Sequence, residues 1–308
     1  MQAIYIGLGL SALITVVGIF FSEDVLRIMG ASESLIEKNW GYTRWMFTGN
    51  ITIMLLFLIN GVFRGAGDAS IAMRALLLAN GLNIILDPVF IFGFGPIPAF
   101  GVEGAAIATN IGRGVGVLFQ LYYLFGGKGL IKLHAANAKV VWGLILRLIK
   151  VSAGGTGQFL IGSASWIFLV RILSDFGSPA VAGYTIAIRV IVFAILPAWG
   201  MANAAATLVG QNLGAGQPER AEKSVWRTAF FNMLFLAFIT LMFFGLAEHI
   251  IALFTLDQEV LRNGIRCLKI VSVGYIFYAY GMVVSQSFNG AGDTRTPTVI
   301  SFFGFWVF

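Results

Sequence analysis

Charge is the scarcest commodity in this sequence. Only 11% of its 308 residues are Asp, Glu, Lys or Arg, against about 25% in a soluble globular domain. With 58% hydrophobic residues and a mean hydropathy of +0.87, no ordinary water-facing surface can be assembled. Lipid must be the solvent for much of the chain. Cysteine is nearly absent. The single Cys267 excludes an intramolecular disulfide, two histidines cannot build a metal cluster, and the redox compartment stays open. Lys and Arg are missing from the first 22 positions. That stretch lacks the basic leader of a signal peptide and reads as a transmembrane helix. A net charge of +6 and a pI near 9.6 do not point to nucleic acid. The basic residues sit in short segments between apolar runs, the arrangement that fixes membrane orientation, and never form a basic helix face.

What is present is a series of apolar segments near 1–22, 40–63, 71–94, 102–126, 149–173, 180–208, 226–247 and 264–288, with another beginning near 296. Each has the ~20 residues needed to cross a ~30 Å hydrocarbon core, so the expected fold is an all-α polytopic membrane protein. Alternate loops differ in basic content. The richer set holds Arg64 and Arg74, then Lys128, Lys132, Lys139, Arg147 and Lys150, then Arg220, Lys223 and Arg227, then Arg295. Those loops are expected in the cytoplasm, and the protein in the plasma (inner) membrane.

An internal repeat organises the chain. Phe63-Arg64-Gly65-Ala66-Gly67-Asp68 recurs 225 residues later as Phe288-Asn289-Gly290-Ala291-Gly292-Asp293. The same ungapped offset sets Glu23 on Glu248, Leu26 on Ile251, Met29 on Phe254 and Leu35 on Val260. Two parallel six-helix repeats are the simplest whole molecule, with a cleft between lobes as in many secondary transporters. On that reading the chain is a fragment lacking roughly 75 residues in front and roughly 45 behind. Its parts are an amino-terminal lobe over 1–127, a cytoplasmic linker over 128–148 and a carboxyl-terminal lobe over 149–308.

The first candidate functional residue is Asp87, inside the third apolar segment. A carboxylate in hydrocarbon costs several kcal/mol and needs a wet cavity, a partner or a cation. Asn83 lies one turn earlier on the same face, and Pro88 frees the carbonyl of residue 84. Together they offer hard oxygen ligands for Na⁺, or a carboxylate that takes and releases a proton; the competing account is a cap on a bent helix. Arg113 and Arg189 also fall within apolar segments and are expected to serve in structural pairing, as charge partners or at a cavity wall. The Gly-rich loops at 65–68 and 210–216 lack the Lys-Ser/Thr ending and preceding strand of a nucleotide-binding loop. They read as turns, with Asp68 and Asp293 placed to cap the helices that follow. Small residues such as Gly154-Gly155-Thr156-Gly157 and Ala202-Asn203-Ala204-Ala205-Ala206 allow close helix packing.

Several of these stretches together resemble the multidrug and toxic compound extrusion (MATE) family. They are Phe63 to Asp68, Asp87-Pro88, Gly101-Val102-Glu103-Gly104-Ala105-Ala106-Ile107-Ala108-Thr109, and Val209 to Gly216 followed by Glu219-Arg220-Ala221. The resemblance covers the third to tenth helices of that family and the start of the eleventh. It implies a V-shaped two-lobe antiporter that exports organic cations, drugs or other amphiphiles in exchange for Na⁺ or H⁺ by alternating access. No further cofactor is expected, and the partners are small molecules and the bilayer, not nucleic acid or nucleotide. The resemblance also implies a cation site: Tyr42 falls on the family's fourth-helix tyrosine, Asn83 and Asp87 on its fifth-helix Asn-x-x-x-Asp, and Thr109 on its sixth-helix threonine. The first-helix aspartate would lie upstream of Met1, so these 308 residues alone are expected not to transport. The family's seventh-helix acid is absent near Leu160, Ile161 and Gly162, and no acid occurs from Ile265 to Gly292, which directs any coupling to the amino-terminal lobe. A lipid-linked oligosaccharide or polysaccharide flippase of the same superfamily is the nearest alternative, and it would want a strongly cationic cavity. An intramembrane enzyme is disfavoured, because His134 and His249 lie in loops or at segment ends and Asp87 has no second carboxylate on its helix. A scaffold without transport leaves the Asn83–Asp87 pair unexplained.

Overall fold

The structure is a computed structural model and describes residues 1–28, 32–127 and 129–307. Met29, one of the repeat matches, Lys128, the first residue of the expected linker, and Phe308 lie outside the described residues. The chain is a polytopic helical membrane protein. Its helices are α1 (Gln2–Ile28), α2 (Glu33–Thr48), α3 (Asn50–Gly65), α4 (Ala69–Phe92), α5 (Val102–Gly126), α6 (Trp142–Ser174), α7 (Ser178–Gly214), α8 (Pro218–Ala252), α9 (Gln258–Val273), α10 (Tyr275–Gly290) and α11 (Arg295–Trp306). Helices dominate because a chain in hydrocarbon must satisfy every backbone N–H and C=O within itself. Two compact units divide the chain, Met1–Leu148 and Ile149–Phe308.

Among the described residues six helical spans are long and apolar enough to cross a membrane, seven when α9 and α10 count as one bent span. α5 is the exception among the expected spans. It is 25 residues long, but Glu103, Thr109, Asn110, Arg113 and Gln120 lower its hydropathy. Thr109, Asn110 and Gln120 use that polarity in hydrogen bonds to α4, α2 and α3.

The expected span over 40–63 is not one straight helix. It breaks at Gly49 into α2 and α3, and its counterpart breaks at Gly274 with a 55° bend between α9 and α10. The bounds of α2 and α3 reappear in α9 and α10 displaced by the repeat offset of 225 residues. Even the side chain that closes each break is repeated. Thr15 Oγ1 on α1 donates to Phe47 O (3.4 Å), and Thr240 Oγ1 on α8 donates to Ser272 O (2.9 Å). Thr15 and Thr240 are themselves 225 residues apart, as are the carbonyls they meet.

The repeated Gly-rich loop is a helix stop built twice. Asp68 N donates to Phe63 O (2.9 Å) and Asp293 N to Phe288 O (3.0 Å), the six-to-one bond of a Schellman turn. That bond requires the left-handed backbone at Gly67 (φ 91°) and Gly292 (φ 86°), which only glycine adopts without strain. The expected capping roles divide. Asp293 Oδ1 accepts from Arg295 N and Thr296 N, both at 3.1 Å, and Oδ2 accepts from Thr296 Oγ1 at 2.6 Å. Among the described residues Asp68 caps no backbone N–H. Its carboxylate is taken by the hydroxyl of Ser70 (2.9 Å), a local competitor for the same acceptor.

In the first unit the tightest pairing is between α4 and α5. Gly104, Gly112 and Gly116 put backbone against backbone: a methyl at Gly104 would strike Phe90 O, and one at Gly112 would lie 2.6 Å from Ala79 O. Small residues serve this purpose in lipid, where tails are as apolar as side chains and dispersion at close approach drives association. Leu56, Ile59, Phe63, Ala72 and Ala79 complete the core. Residues 129–141 are no free tether. Gln2 Nε2 donates to Lys139 O (2.6 Å), Tyr5 OH to Ala138 O (2.8 Å) and Leu133 N to Leu124 O (2.9 Å), which straps this segment onto α1 and α5.

In the second unit α7, α8, α9 and α10 pack around Ala187, Leu236, Ala247, Leu268 and Tyr275. Gly290 meets the backbone of Ala206, and Gly154 makes room for Thr294, so the small-residue runs do bring helices close. α11 lies along α6, with Thr294 Oγ1 bonded to Val151 O (2.9 Å) and Thr298 Oγ1 to Gly154 O (3.0 Å). α4 and α7 run on through Pro88 and Pro197.

Candidate cation site

Asp87 lies five residues before the end of α4, so it does not cap a helix. At 1.5 Å per residue it sits roughly 8 Å inside that end. Its carboxylate is half-buried. Asn83 Nδ2 donates to Asp87 Oδ1 (2.9 Å) and also to Thr109 Oγ1 on α5 (3.2 Å). Thr109 Oγ1 in turn donates to Ala105 O (2.7 Å). The close α4–α5 approach is what permits this. Gly112, one turn from Thr109, would bring a methyl within 3.3 Å of Asn83 N and 3.4 Å of its Cβ. With any larger residue there, the helices could not come near enough for Asn83 to reach Thr109.

The structure thus brings together three of the four residues in the expected site. Both hydrogens of the Asn83 amide nitrogen are spent on Asp87 and Thr109, which leaves the amide oxygen, the second carboxylate oxygen and the threonine hydroxyl oxygen able to accept. All are hard oxygens, suited to an alkali or alkaline-earth cation, and the carboxylate can instead carry a proton. Pro88 supplies no N–H to the Ile84 carbonyl, which adds one backbone oxygen one turn back. Tyr42 is half-buried on α2, and among the described residues no hydrogen bond joins it to this group. Beside it, Gly41 gives space to the Glu103 carboxylate. A cavity of about 420 Å³ there is lined by Ile19, Trp40, Arg44, Trp45, Thr48 and Glu103, with the Arg44 guanidinium 5.6 Å from the Trp40 ring centre.

Arg113 and Arg189 were expected as charge partners or at a cavity wall. Among the described residues the ion pairs are Arg27 with Asp24 (3.2 Å) and with Glu33 (3.0 Å), so neither Arg113 nor Arg189 neutralises Asp87. The Asp87 carboxylate has a neutral donor in Asn83 instead. Arg113 is half-buried on α5, one turn past Thr109. Arg189, in the second unit, is exposed on α7 at a cavity of about 370 Å³ with Trp166, Tyr184 and Val192.

Other polar contacts were not foreseen. Asn110, the residue after Thr109, donates from Nδ2 to Trp45 O (2.8 Å) in the last turn of α2. Gln120 Nε2 donates to Asn60 Oδ1 (2.7 Å) and Leu56 O (3.2 Å), with both side chains fully buried. In the second unit Gln158 and Asn289 exchange amide bonds at 3.1 and 3.3 Å. The only signal for them in the sequence is an amide inside an apolar segment, which by itself names no partner.

The family model described as MatE matches residues 1–89 and 157–308. The chain is 26% identical over 300 residues to the probable multidrug resistance protein YoeA of Bacillus subtilis, covering 96% of this chain and 65% of that protein. It is 28% identical over 305 residues to the probable multidrug resistance protein NorM of Thermotoga maritima, covering 99% and 64%. It therefore spans a little under two thirds of the length of these relatives. Among solved structures, the outward-facing conformation of a multidrug resistance MATE family transporter of the MOP superfamily superposes with a TM-score of 0.90 at 28% identity, covering 99% of this chain and 68% of that one. All three are named for drug resistance or transport, none as an enzyme.

Proposed function

The chain belongs to the MatE family, and from that premise we propose that it serves in a secondary active antiporter that exports small amphiphilic or cationic compounds in exchange for Na⁺ or H⁺. The observation that carries this reading is the Asn83–Asp87–Thr109 group. A carboxylate inside a membrane span, held by a neutral amide beside further oxygens, is costly, and exchange of a cation or proton is the use that explains it. Asp87 supplies the charge, Asn83 orients it, and Thr109 adds a hydroxyl oxygen from α5. Release of the bound cation leaves an uncompensated carboxylate in a low dielectric, which favours a rearrangement that lets the site refill from the other side of the membrane. Tyr42 closes the group only if α2 moves toward α4. On this reading the protein works in the plasma membrane, with lipid and small-molecule substrates as its partners.

The test uses the full-length protein in proteoliposomes loaded with a fluorescent organic cation. An imposed Na⁺ or H⁺ gradient is expected to drive export, and the gradient that works identifies the coupling ion. Asp87→Asn keeps the side chain's shape and is expected to abolish gradient-driven export while the thermal unfolding profile is retained. Export by Asp87→Asn at the parental rate would sink the reading.

A further inference from the structure

We infer that Asn110 is a positioning residue that couples the candidate cation site to the break between α2 and α3. This rests on the reading of Asn83, Asp87 and Thr109 as that site. Thr109 and Asn110 are consecutive on α5, so their side chains leave the helix about 100° apart and reach two different neighbours. Thr109 meets Asn83 on α4; Asn110 meets the Trp45 carbonyl on α2. A displacement of α5 at one contact is therefore felt at the other.

The break is built to receive that contact. Gly49 has no side chain, and the Asn110 amide occupies the space where a Cβ would stand. Side chains add to the backbone bonds at the carbonyls around the break: Trp45 O accepts from Gly49 N (2.9 Å) and also from Asn110 Nδ2 and Thr48 Oγ1 (3.3 Å), Arg44 O from Thr48 Oγ1 (2.8 Å), Phe47 O and Thr48 O from Thr15 Oγ1, and Gly49 O from Thr52 N (3.0 Å) and Thr52 Oγ1 (2.8 Å). Non-helical backbone inside a membrane survives only when its polar groups are satisfied in this way. These bonds connect α1, α2, α3 and α5 through one short segment. The second unit repeats the break at Gly274 and the threonine at Thr240, so the break is a designed feature of the repeat and not a local irregularity. In the first unit Asn110 reaches the break from α5, and it sits next to a cation-site residue. Tyr42 lies on α2 two turns before the break, so a shift of α2 driven through Asn110 carries Tyr42 toward or away from Asp87.

The experiment uses the full-length protein in nanodiscs with Cys267→Ser and spin labels at Glu37→Cys on α2 and Phe57→Cys on α3, both exposed positions. Na⁺ at fixed pH, or a pH step where Na⁺ has no effect, is the probe; cation or proton uptake is measured calorimetrically on the same samples. Uptake is expected to shift the distance across the break. Asn110→Ala is expected to erase the shift while affinity stays within about threefold. Gly49→Ala, which drives a methyl into the Asn110 amide, is expected to weaken uptake about tenfold, and Gly49→Ala/Asn110→Ala to restore it. A shift that persists in Asn110→Ala, or unchanged affinity in Gly49→Ala, overturns the coupling. Uptake without any movement overturns the coupling alone; no uptake by the parent protein overturns both the coupling and the cation-site reading.

Discussion

Gly112→Ala is the sharpest test of how the cation site is held. The added methyl would stand 2.6 Å from Ala79 O, whereas a carbon rests about 3.3 Å from a carbonyl oxygen. Relief needs α4 and α5 to part by about 0.7 Å at that point. The Asn83–Thr109 bond already measures 3.2 Å, so that separation carries it past any useful hydrogen bond. Overpacking costs about 1–3 kcal/mol and the lost interhelical bond about 0.6 kcal/mol in a membrane, together on the order of 2 kcal/mol of unfolding free energy. Gly114→Ala on the same helix is the control, because its methyl would lie 3.8 Å from Thr52 Cγ2, an ordinary contact. Denaturant unfolding in mixed micelles reads stability, and calorimetric cation uptake reads the site. Both should fall in Gly112→Ala and neither in Gly114→Ala. Equal behaviour of the two variants would refute the view that the Gly112 approach sets the site.

Two further outcomes follow from contacts away from the site. Asn60→Leu removes the shorter of the two bonds that the buried Gln120 amide donates and should lower stability by about 1–3 kcal/mol, while Asn60→Leu/Gln120→Leu should recover most of that loss; equal stability of the single and double variants in the same unfolding assay would count against that bond. Asp293, in the loop between α10 and α11, is held below the ordinary carboxylate range by the Thr296 hydroxyl, then by the Thr296 amide. A lowered folded-state value means stabilisation that is fully present above the ordinary carboxylate range and lost as pH falls through the folded value. Thr296→Val removes the hydroxyl bond, so nuclear magnetic resonance titration of Asp293 should move upward; an unmoved titration would show that the hydroxyl does not set it.

The sequence by itself determined much of this protein. Scarcity of charge and apolar segments of about 20 residues required membrane helices, because a helix satisfies its own backbone in lipid and a barrel strand crosses in about half that length. The 225-residue offset required two like units, and it foretold helix stops at Gly67 and Gly292, where only glycine adopts the left-handed backbone. Asp87 declared itself through the cost of a carboxylate in hydrocarbon, and Asn83 through its spacing of four. Tertiary structure decided the rest. Gly49 and Gly274 look like any glycine in an apolar run, and their breaks exist because Thr15 and Thr240, on other helices, satisfy the exposed carbonyls. Thr109 meets Asn83 only because Gly112 lets α5 lie against α4. Arg113 and Arg189 looked like partners for buried charge, yet pairing depends on where a helix turns its face against its neighbours. Spacing along a chain sets which residues share a helix face. Which faces meet is fixed by close packing between segments far apart in sequence, and no local pattern carries that distance.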